Sequence, residues 1–179
     1  MNSKALTGSG WLWMAHKPRH PWEGKKTGRN PTDRAKLGVK RSLLADGRGV
    51  PLSVVIEGAN RHDMKLFLPT FEALFIPRPQ PGPECVQHLC LDKGYDYQAV
   101  RTLAAELGFT LHLKSRGQEK EEKREAGPRA RRWVVERAHS WMNRFRRILI
   151  RWEKKADNFL GLLHFACALI TLQQTGVSG

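Results

Sequence analysis

Two apolar runs that flank a glycine-containing turn give the clearest local pattern in this chain. Residues 42–45 and 51–56 are largely apolar, and the turn at residues 46–49 contains Gly47 and Gly49. Glycine readily adopts the positive φ angles that tight hairpin turns require. The pattern therefore predicts an antiparallel hairpin of two strands.

Further patterned segments follow the hairpin. Asp63 can cap a helix whose apolar residues recur at helical spacing, and Pro69 should break or kink that helix. Residues 86–91 resemble a short buried strand, residues 95–107 an amphipathic helix, and residues 109–113 another strand. This order predicts a β-α-β unit.

The C-terminal part of the chain is predicted to be helical. Residues 131–153 show apolar residues at helical spacing, which predicts one long amphipathic helix. Its apolar stripe consists of Val134, Ala138, Trp141, Phe145, Ile148 and Trp152. A second helix at residues 157–172 is apolar nearly all round, so we expect it to be buried. Residues 114–130 are mostly charged, which is typical of a mobile, solvated loop.

Length and composition fit a single domain. The chain has 179 residues, of which 40% are hydrophobic, and this is enough for one globular core. We predict an irregular N-terminal segment at residues 1–40, one α/β domain at residues 41–173 and a short tail at residues 174–179.

The net charge of the chain indicates the kind of molecule that it binds. Thirty-one Lys and Arg residues against 17 Asp and Glu give a formal net charge of +14, which indicates a polyanionic partner. Nucleic acid is the first candidate and an anionic membrane surface is the alternative. No uncharged apolar run approaches the roughly 20 residues that span a bilayer, and the three cysteines do not read as a disulfide framework. We therefore expect a cytoplasmic protein without a membrane segment.

Two carboxylates are the main candidates for chemistry. Asp92 ends the apolar strand at residues 86–91, where open α/β sheets place their ligands, although it could instead cap the following helix. Glu136 lies in a very basic helical segment, where it could bind a metal ion or pair with Arg132 four residues earlier. Together they predict a metal site for phosphoryl transfer. Cys85, His88 and Cys90 are also close in sequence, but their spacing matches no zinc-finger pattern.

Several stretches together resemble a known family, the insertion-sequence transposases with a DDE triad of acids. The matching stretches are residues 27–34, 40–51, 58–63, 91–95, 131–141 and 144–147. The resemblance implies an α/β fold of the ribonuclease-H-like (retroviral-integrase-like) type, with a mixed sheet flanked by helices. It further implies that residues 41–173 are the catalytic domain of a bacterial, nucleoid-associated protein that cleaves and joins DNA strands.

The resemblance also assigns site residues and partners. Asp92 matches the second acid of the triad and Glu136 the third, and the family uses them to hold Mg²⁺ or Mn²⁺. Double-stranded DNA, at the element ends and at the target, is the implied partner, and a homodimer is left open. We expect the DNA backbone to be held by Arg132, Arg137, Arg144 and Arg147.

The chain departs from the family pattern at the first acid. Residues 1–22 contain neither Asp nor Glu, and Ser9 or Met14 takes the place of the first aspartate, depending on the alignment. We therefore expect a first strand that is degenerate or missing, an N-terminally truncated protein and little or no strand transfer. The tyrosine and lysine of the family signature fall on Arg129 and Asn143. A non-catalytic DNA-binding remnant of a transposase is the alternative function, and an RNA-binding structural protein is a third.

Overall fold

The fold is built on a mixed sheet with helices on both faces. The computed structural model of the chain describes residues 11–18, 21, 24–113 and 132–176. Its strands are β1 (Trp11–His16), β2 (Gly28–Arg29), β3 (Leu37–Ala45), β4 (Pro51–Gly58), β5 (Gln87–Leu91) and β6 (Phe109–His112). Its helices are α1 (Phe67–Glu72), α2 (Gln98–Glu106), α3 (Arg132–Asn143), α4 (Arg146–Leu149) and α5 (Ala156–Gln174).

The main sheet path runs β4-β3-β1-β5-β6. Strands β4, β3 and β1 pair antiparallel, whereas β1, β5 and β6 pair parallel. The short strand β2 pairs with the beginning of β3. Both the predicted hairpin of β3 and β4 and the predicted unit of β5, α2 and β6 are confirmed. Gly49 takes a φ of 87° in the hairpin turn, as the predicted turn requires.

The prediction of a degenerate or missing first strand is wrong. Trp11–His16 forms β1 in the middle of the sheet, between β3 and β5, and with Gly28–Arg29 it lies in the stretch that was predicted to be irregular. A central strand is covered on both faces, so its sequence lacks the alternation that marks a half-exposed strand. Trp11 and Trp13 pack on one face of the sheet, and the aromatic side chains suit a strand.

Two cores lie on opposite faces of the sheet. One packs Trp11, Trp13 and Leu44 with the residues of α1 and α2, and the other packs Leu43 and Ile56 with the residues of α3 and α5. Helix α3 therefore covers the face of β1 opposite to the two tryptophans. The predicted site depends on this face.

The C-terminal helices differ from their prediction. The predicted helix over residues 131–153 ends at Asn143, restarts as the single turn α4 and is followed by an extended segment. Trp152, expected in the core, is 55% exposed. Asn143 accepts a hydrogen bond from Arg41 Nη2 at 2.9 Å, so the end of α3 is tied to the sheet rather than continued.

Helix α5 is buried on one face only, although its sequence predicted burial nearly all round. Phe159, Leu163 and Ile170 lie in the core, whereas Phe165 is 63% exposed. By length and composition alone, α5 could cross a membrane, whereas no membrane segment was predicted from the sequence. In this structure, 33% of the segment is buried inside the protein. A helix that packs one face on a core meets the same criteria.

Candidate functional site

The C-terminal ends of β1 and β5 lie side by side. These strands are parallel, and their last paired residues are Trp13 and Leu91. The next position along each strand brings Met14 beside Asp92. Since Trp13 and Leu91 point into the core of α1 and α2, alternation directs Met14 and Asp92 to the opposite face, on the side of α3. Ser9, the other candidate for the position of the first acid, lies outside the described residues.

The turn that carries Asp92 is fixed by buried groups. The amide of Tyr95 donates to the Asp92 carbonyl at 2.9 Å, and the fully buried Tyr95 hydroxyl lies 3.3 Å from Ser42 Oγ. Asp63 approaches so closely that a Cβ at Gly94 would lie 2.6 Å from its Oδ2. These contacts give Asp92 a defined position after β5.

Asp63 does not cap the helix as predicted. A short 3-10 helix, Asp63–Leu66, precedes α1, and its N-cap is His62. The Asp63 carboxylate instead accepts a hydrogen bond from the buried Lys40 Nζ at 2.6 Å. This ion pair links β3 to the segment after β4, and Asp63 in turn packs against Gly94 in the turn after β5. Lys40 therefore supports the backbone near Asp92 from within the sheet.

Glu136 is exposed on α3. Ala138, His139 and Met142 form the buried face of this helix, and at 100° per residue Glu136 and Arg137 lie on opposite sides of that face. Arg137 reaches toward β3 and β4, where its Nη2 donates to the carbonyl of Arg48 in the hairpin turn. Glu136 therefore lies on the other flank, over the same face of the sheet as Asp92.

A buried cationic cluster that the sequence did not reveal lies beside Met14. Arg41 is fully buried, and its Nη2 contacts His16 Nδ1 at 2.8 Å and Asn143 Oδ1 at 2.9 Å. His139 stacks on His16 with ring centroids 5.4 Å apart and is itself buried. His139 and Asn143 follow Glu136 at helical steps of three and four residues among polar and basic residues, so no local signal indicated their burial.

Burial and the neighbouring charge keep both histidines neutral. Burial, and then the positive charge of Arg41, lowers the pKa of His139 to about 3 and that of His16 to about 4. The unfolded histidines titrate near 6.5. Protons therefore bind preferentially to the unfolded chain between these values.

Acid is expected to destabilise the protein through this cluster. The free energy of unfolding should be highest above pH 6.5 and fall as the pH drops toward 4, by up to about 1.4 kcal/mol per pH unit for each histidine. Urea denaturation followed at pH values from 7 to about 4.5 measures this slope. His139→Phe keeps a ring without a titrating group and should flatten the slope, whereas His164→Phe on α5 is the matched control. An unfolding midpoint that does not change over this range would contradict a neutral buried pair.

The residues present do not complete the metal site that the resemblance implies. Asp92 and Glu136 offer carboxylate oxygens, which suit Mg²⁺ or Mn²⁺, but the position beside Asp92 holds the thioether of Met14. Throughout the described residues, no group of three or more His, Cys, Asp or Glu side chains is placed to hold a metal ion. Hard divalent ions gain little from a thioether, so the donor set does not fit a two-metal site.

The four predicted DNA-contacting arginines have different environments. The side chain of Arg132 lies outside the described residues. Arg137 is engaged within the protein, since besides its bond to Arg48 it lies over the Trp141 ring at 4.9 Å. Arg144 and Arg147 are exposed, and Arg147 Nε pairs with Glu153 at 3.0 Å.

A basic patch that no local pattern indicated is assembled around the loops that Arg151 joins. The buried Arg151 donates to the carbonyls of Lys25 at 3.0 Å and Lys154 at 3.1 Å, which holds two loops together. The basic patch consists of the exposed residues Lys25, Lys26, Lys154 and Lys155. Its members are far apart in sequence, so only the fold brings them into one surface.

Comparisons with known proteins identify the family of this chain. Residues 11–171 match the family Transposase DDE domain. The chain is also 36% identical over 154 residues to a protein assigned as the transposase for insertion sequence element IS402 of Burkholderia cepacia, a match that covers 83% of this chain and 70% of that protein. A piggyBac transposase solved in a synaptic complex with hairpin DNA is similar at a TM-score of 0.42 and 14% identity, over 69% of this chain and only 26% of that one. The resemblance noted in the sequence is confirmed: the chain belongs to the DDE-type transposases of insertion sequences.

Proposed function

We propose that this chain is a DNA-binding transposase domain with an incomplete catalytic site and a ribonuclease-H-like fold. The sheet path β4-β3-β1-β5-β6, antiparallel over its first three strands and parallel over its last three, supports that fold. Family membership implies divalent metal use in general. In this chain, however, one of the three acids is replaced.

The observation that carries the proposal is the register of β1 on β5. It brings Met14, rather than Ser9, beside Asp92 on the face that α3 covers. Asp92 and Glu136 keep the second and third acidic positions, but two carboxylates hold two divalent ions less well than three. We therefore propose that this chain alone cleaves DNA little or not at all.

DNA binding is proposed to depend on backbone phosphates. The exposed basic residues proposed to meet DNA are those of the basic patch together with Arg144 and Arg147. Lysine and arginine side chains that meet phosphates give affinity without sequence readout, and this affinity falls steeply with salt. The net charge of +14 favours such binding over the whole surface.

The proposed function predicts binding without cleavage. The purified chain is incubated with a nicked-circle or linear duplex and Mg²⁺ or Mn²⁺. It should retard the DNA in a native gel. On a denaturing gel, the DNA should show no more strand breaks than after incubation with the Asp92→Ala protein. Metal-dependent cleavage that Asp92→Ala abolishes would show a working transposase site and overturn the proposal. Stronger binding to RNA than to duplex DNA would favour the RNA-binding alternative.

Charge reversal separates the basic patch from general electrostatics. Lys154→Glu/Lys155→Glu should weaken duplex binding about tenfold or more and reduce the slope of log K against log salt by about two, since two phosphate contacts are lost. Arg48→Glu/Arg101→Glu makes the same change in net charge at the hairpin turn and on α2, away from the basic patch. Equal losses for both pairs would contradict a defined DNA surface.

A further inference from the structure

Helix α5 has an apolar stripe on the side that faces away from the core. The buried side chains of this helix are Ala156, Phe159, Leu163, Ala166, Cys167 and Ile170. On the opposite side lie Gly161, Phe165, Ala168 and Leu172, of which Phe165 is 63% and Leu172 46% exposed. We call these four residues the outer stripe. At 100° per residue they span a narrow arc of the helix surface.

The spacing of the outer stripe is that of a helix–helix seam. Its residues follow each other at intervals of four, three and four, which is the a/d repeat of a coiled coil. A helix with one face on a core needs no second apolar stripe, and exposed apolar patches of this kind mark interaction sites. The spacing therefore indicates that another helix packs here.

The order of large and small residues indicates which helix that is. In an antiparallel pair of helices, each a position faces a d position of the other helix. If the two-fold axis passes between positions 166 and 167, residue 161 faces residue 172 of the other helix and residue 165 faces residue 168. Each layer then joins a small residue to a large one, Gly161 to Leu172 and Phe165 to Ala168. A parallel pair would place Phe165 against Phe165 and leave a gap between glycines.

We propose that two copies of this chain pair through the outer stripes of α5, antiparallel and about a two-fold axis. A self-complementary patch is what a two-fold interface requires. Opposed helix dipoles also favour the antiparallel arrangement. The proposal concerns association only and does not depend on whether the chain cleaves or binds DNA.

Charge supports a second copy at this surface. Two molecules of net charge +14 repel each other, and residues 158–174 of α5 contain no Asp, Glu, Lys or Arg. The repulsion is therefore smallest where the outer stripes meet. Within the chain, the two longest stretches outside the described residues, 1–10 and 114–131, offer no comparable apolar stripe, since their only apolar side chains are Met1, Ala5, Leu6, Ala126 and Ala130.

The expected dimer is weak. Two heptads of one helix pair bury less than the roughly 1,200 Å² at the low end of standard interfaces, which corresponds to reversible association. Exposed Phe75 lies beside the stripe, with its ring 5.1 Å from that of His164, and extends the apolar surface. We expect a dissociation constant in the micromolar range.

Gly161→Leu tests the proposal by filling the notch opposite Leu172. A Cβ at position 161 meets no atom within 4 Å, and replacing a helical glycine raises helix propensity, so the monomer should not be destabilised. Sedimentation equilibrium at about 0.5 M salt, where charge repulsion is screened, should show a dissociation constant at least tenfold higher than for the original chain. The substitution adds apolar surface, so an unchanged or tighter association would mean non-specific contact and would overturn the proposal.

The compensating swap tests the antiparallel layer itself. Leu172→Ala alone should also weaken the dimer, whereas Gly161→Leu/Leu172→Ala again joins a large residue to a small one and should restore the dissociation constant to within about threefold. Trp152→Ala removes an exposed side chain outside the stripe and should change nothing. An original chain that stays monomeric at the highest loading concentration would overturn the proposal. Binding of the protein to phosphatidylcholine–phosphatidylglycerol vesicles, if Gly161→Leu strengthened it, would also overturn the proposal, because it would show that the outer stripe faces lipid.

Discussion

Met14→Asp is expected to raise the affinity of the chain for Mn²⁺ at least tenfold, which is about 1.4 kcal/mol of binding free energy. The register of β1 on β5 places position 14 beside Asp92, on the face of the sheet that α3, the helix of Glu136, covers. A third carboxylate there would complete a set of hard oxygen donors. Isothermal titration calorimetry with Mn²⁺ measures the affinity. The same protein should show metal-dependent nicking of duplex DNA that the original chain lacks.

Two variants control for this gain. Met14→Asn has nearly the shape of the aspartate without its charge and should leave Mn²⁺ binding at the level of the original chain. Met14→Asp/Asp92→Asn removes the neighbouring acid and should lose the gained affinity. A Met14→Asp protein that is folded by circular dichroism yet binds Mn²⁺ no better than the Met14→Asn protein would contradict the pairing of positions 14 and 92.

The pattern of apolar residues and turn residues was sufficient to predict the strands and helices that are determined by their own local sequence. The β3–β4 hairpin and the unit of β5, α2 and β6 show regular periodicity between glycine-rich or proline-rich turns, and the structure confirms both. Strand β1 was missed because its neighbours cover both faces, so Trp11–His16 shows no alternation. The end of α3 was missed because a hydrogen bond from Arg41, 102 residues away in sequence, fixes it.

Site residues that belong to sequence motifs could be predicted from the sequence. Site residues that are brought together by packing between distant segments could not. Asp92 and Glu136 were singled out from sequence, and their roles as metal ligands stay a prediction. The choice between Ser9 and Met14 required the register of two strands far apart in sequence. His16, His139 and Arg41 form a cluster within the protein that no sequence spacing indicated, since its members come from three separate elements.

Arg151→Ala is expected to lower the free energy of unfolding by about 3 kcal/mol or more, because three backbone carbonyls lose one buried charged donor at once. Arg151 is fully buried, and its guanidinium donates to the carbonyls of Glu153, Lys25 and Lys154 at 3.0, 3.0 and 3.1 Å. Alanine would leave these carbonyls without their donor and remove a cation–π contact with Phe159 at 5.9 Å. Urea denaturation measures the loss.

Two further substitutions separate the contribution of the three Arg151 hydrogen bonds to stability from that of its positive charge. Arg151→Lys keeps the positive charge but cannot reach three carbonyls from one planar group, so it should recover only part of the stability. Arg146→Ala removes an exposed arginine nearby and should change stability by no more than about 0.5 kcal/mol. Because Arg151 joins the loops of Lys25 and Lys154, Arg151→Ala should also weaken duplex binding under conditions where the protein is still folded. Full DNA affinity in a folded Arg151→Ala protein would show that the basic patch assembles without these hydrogen bonds.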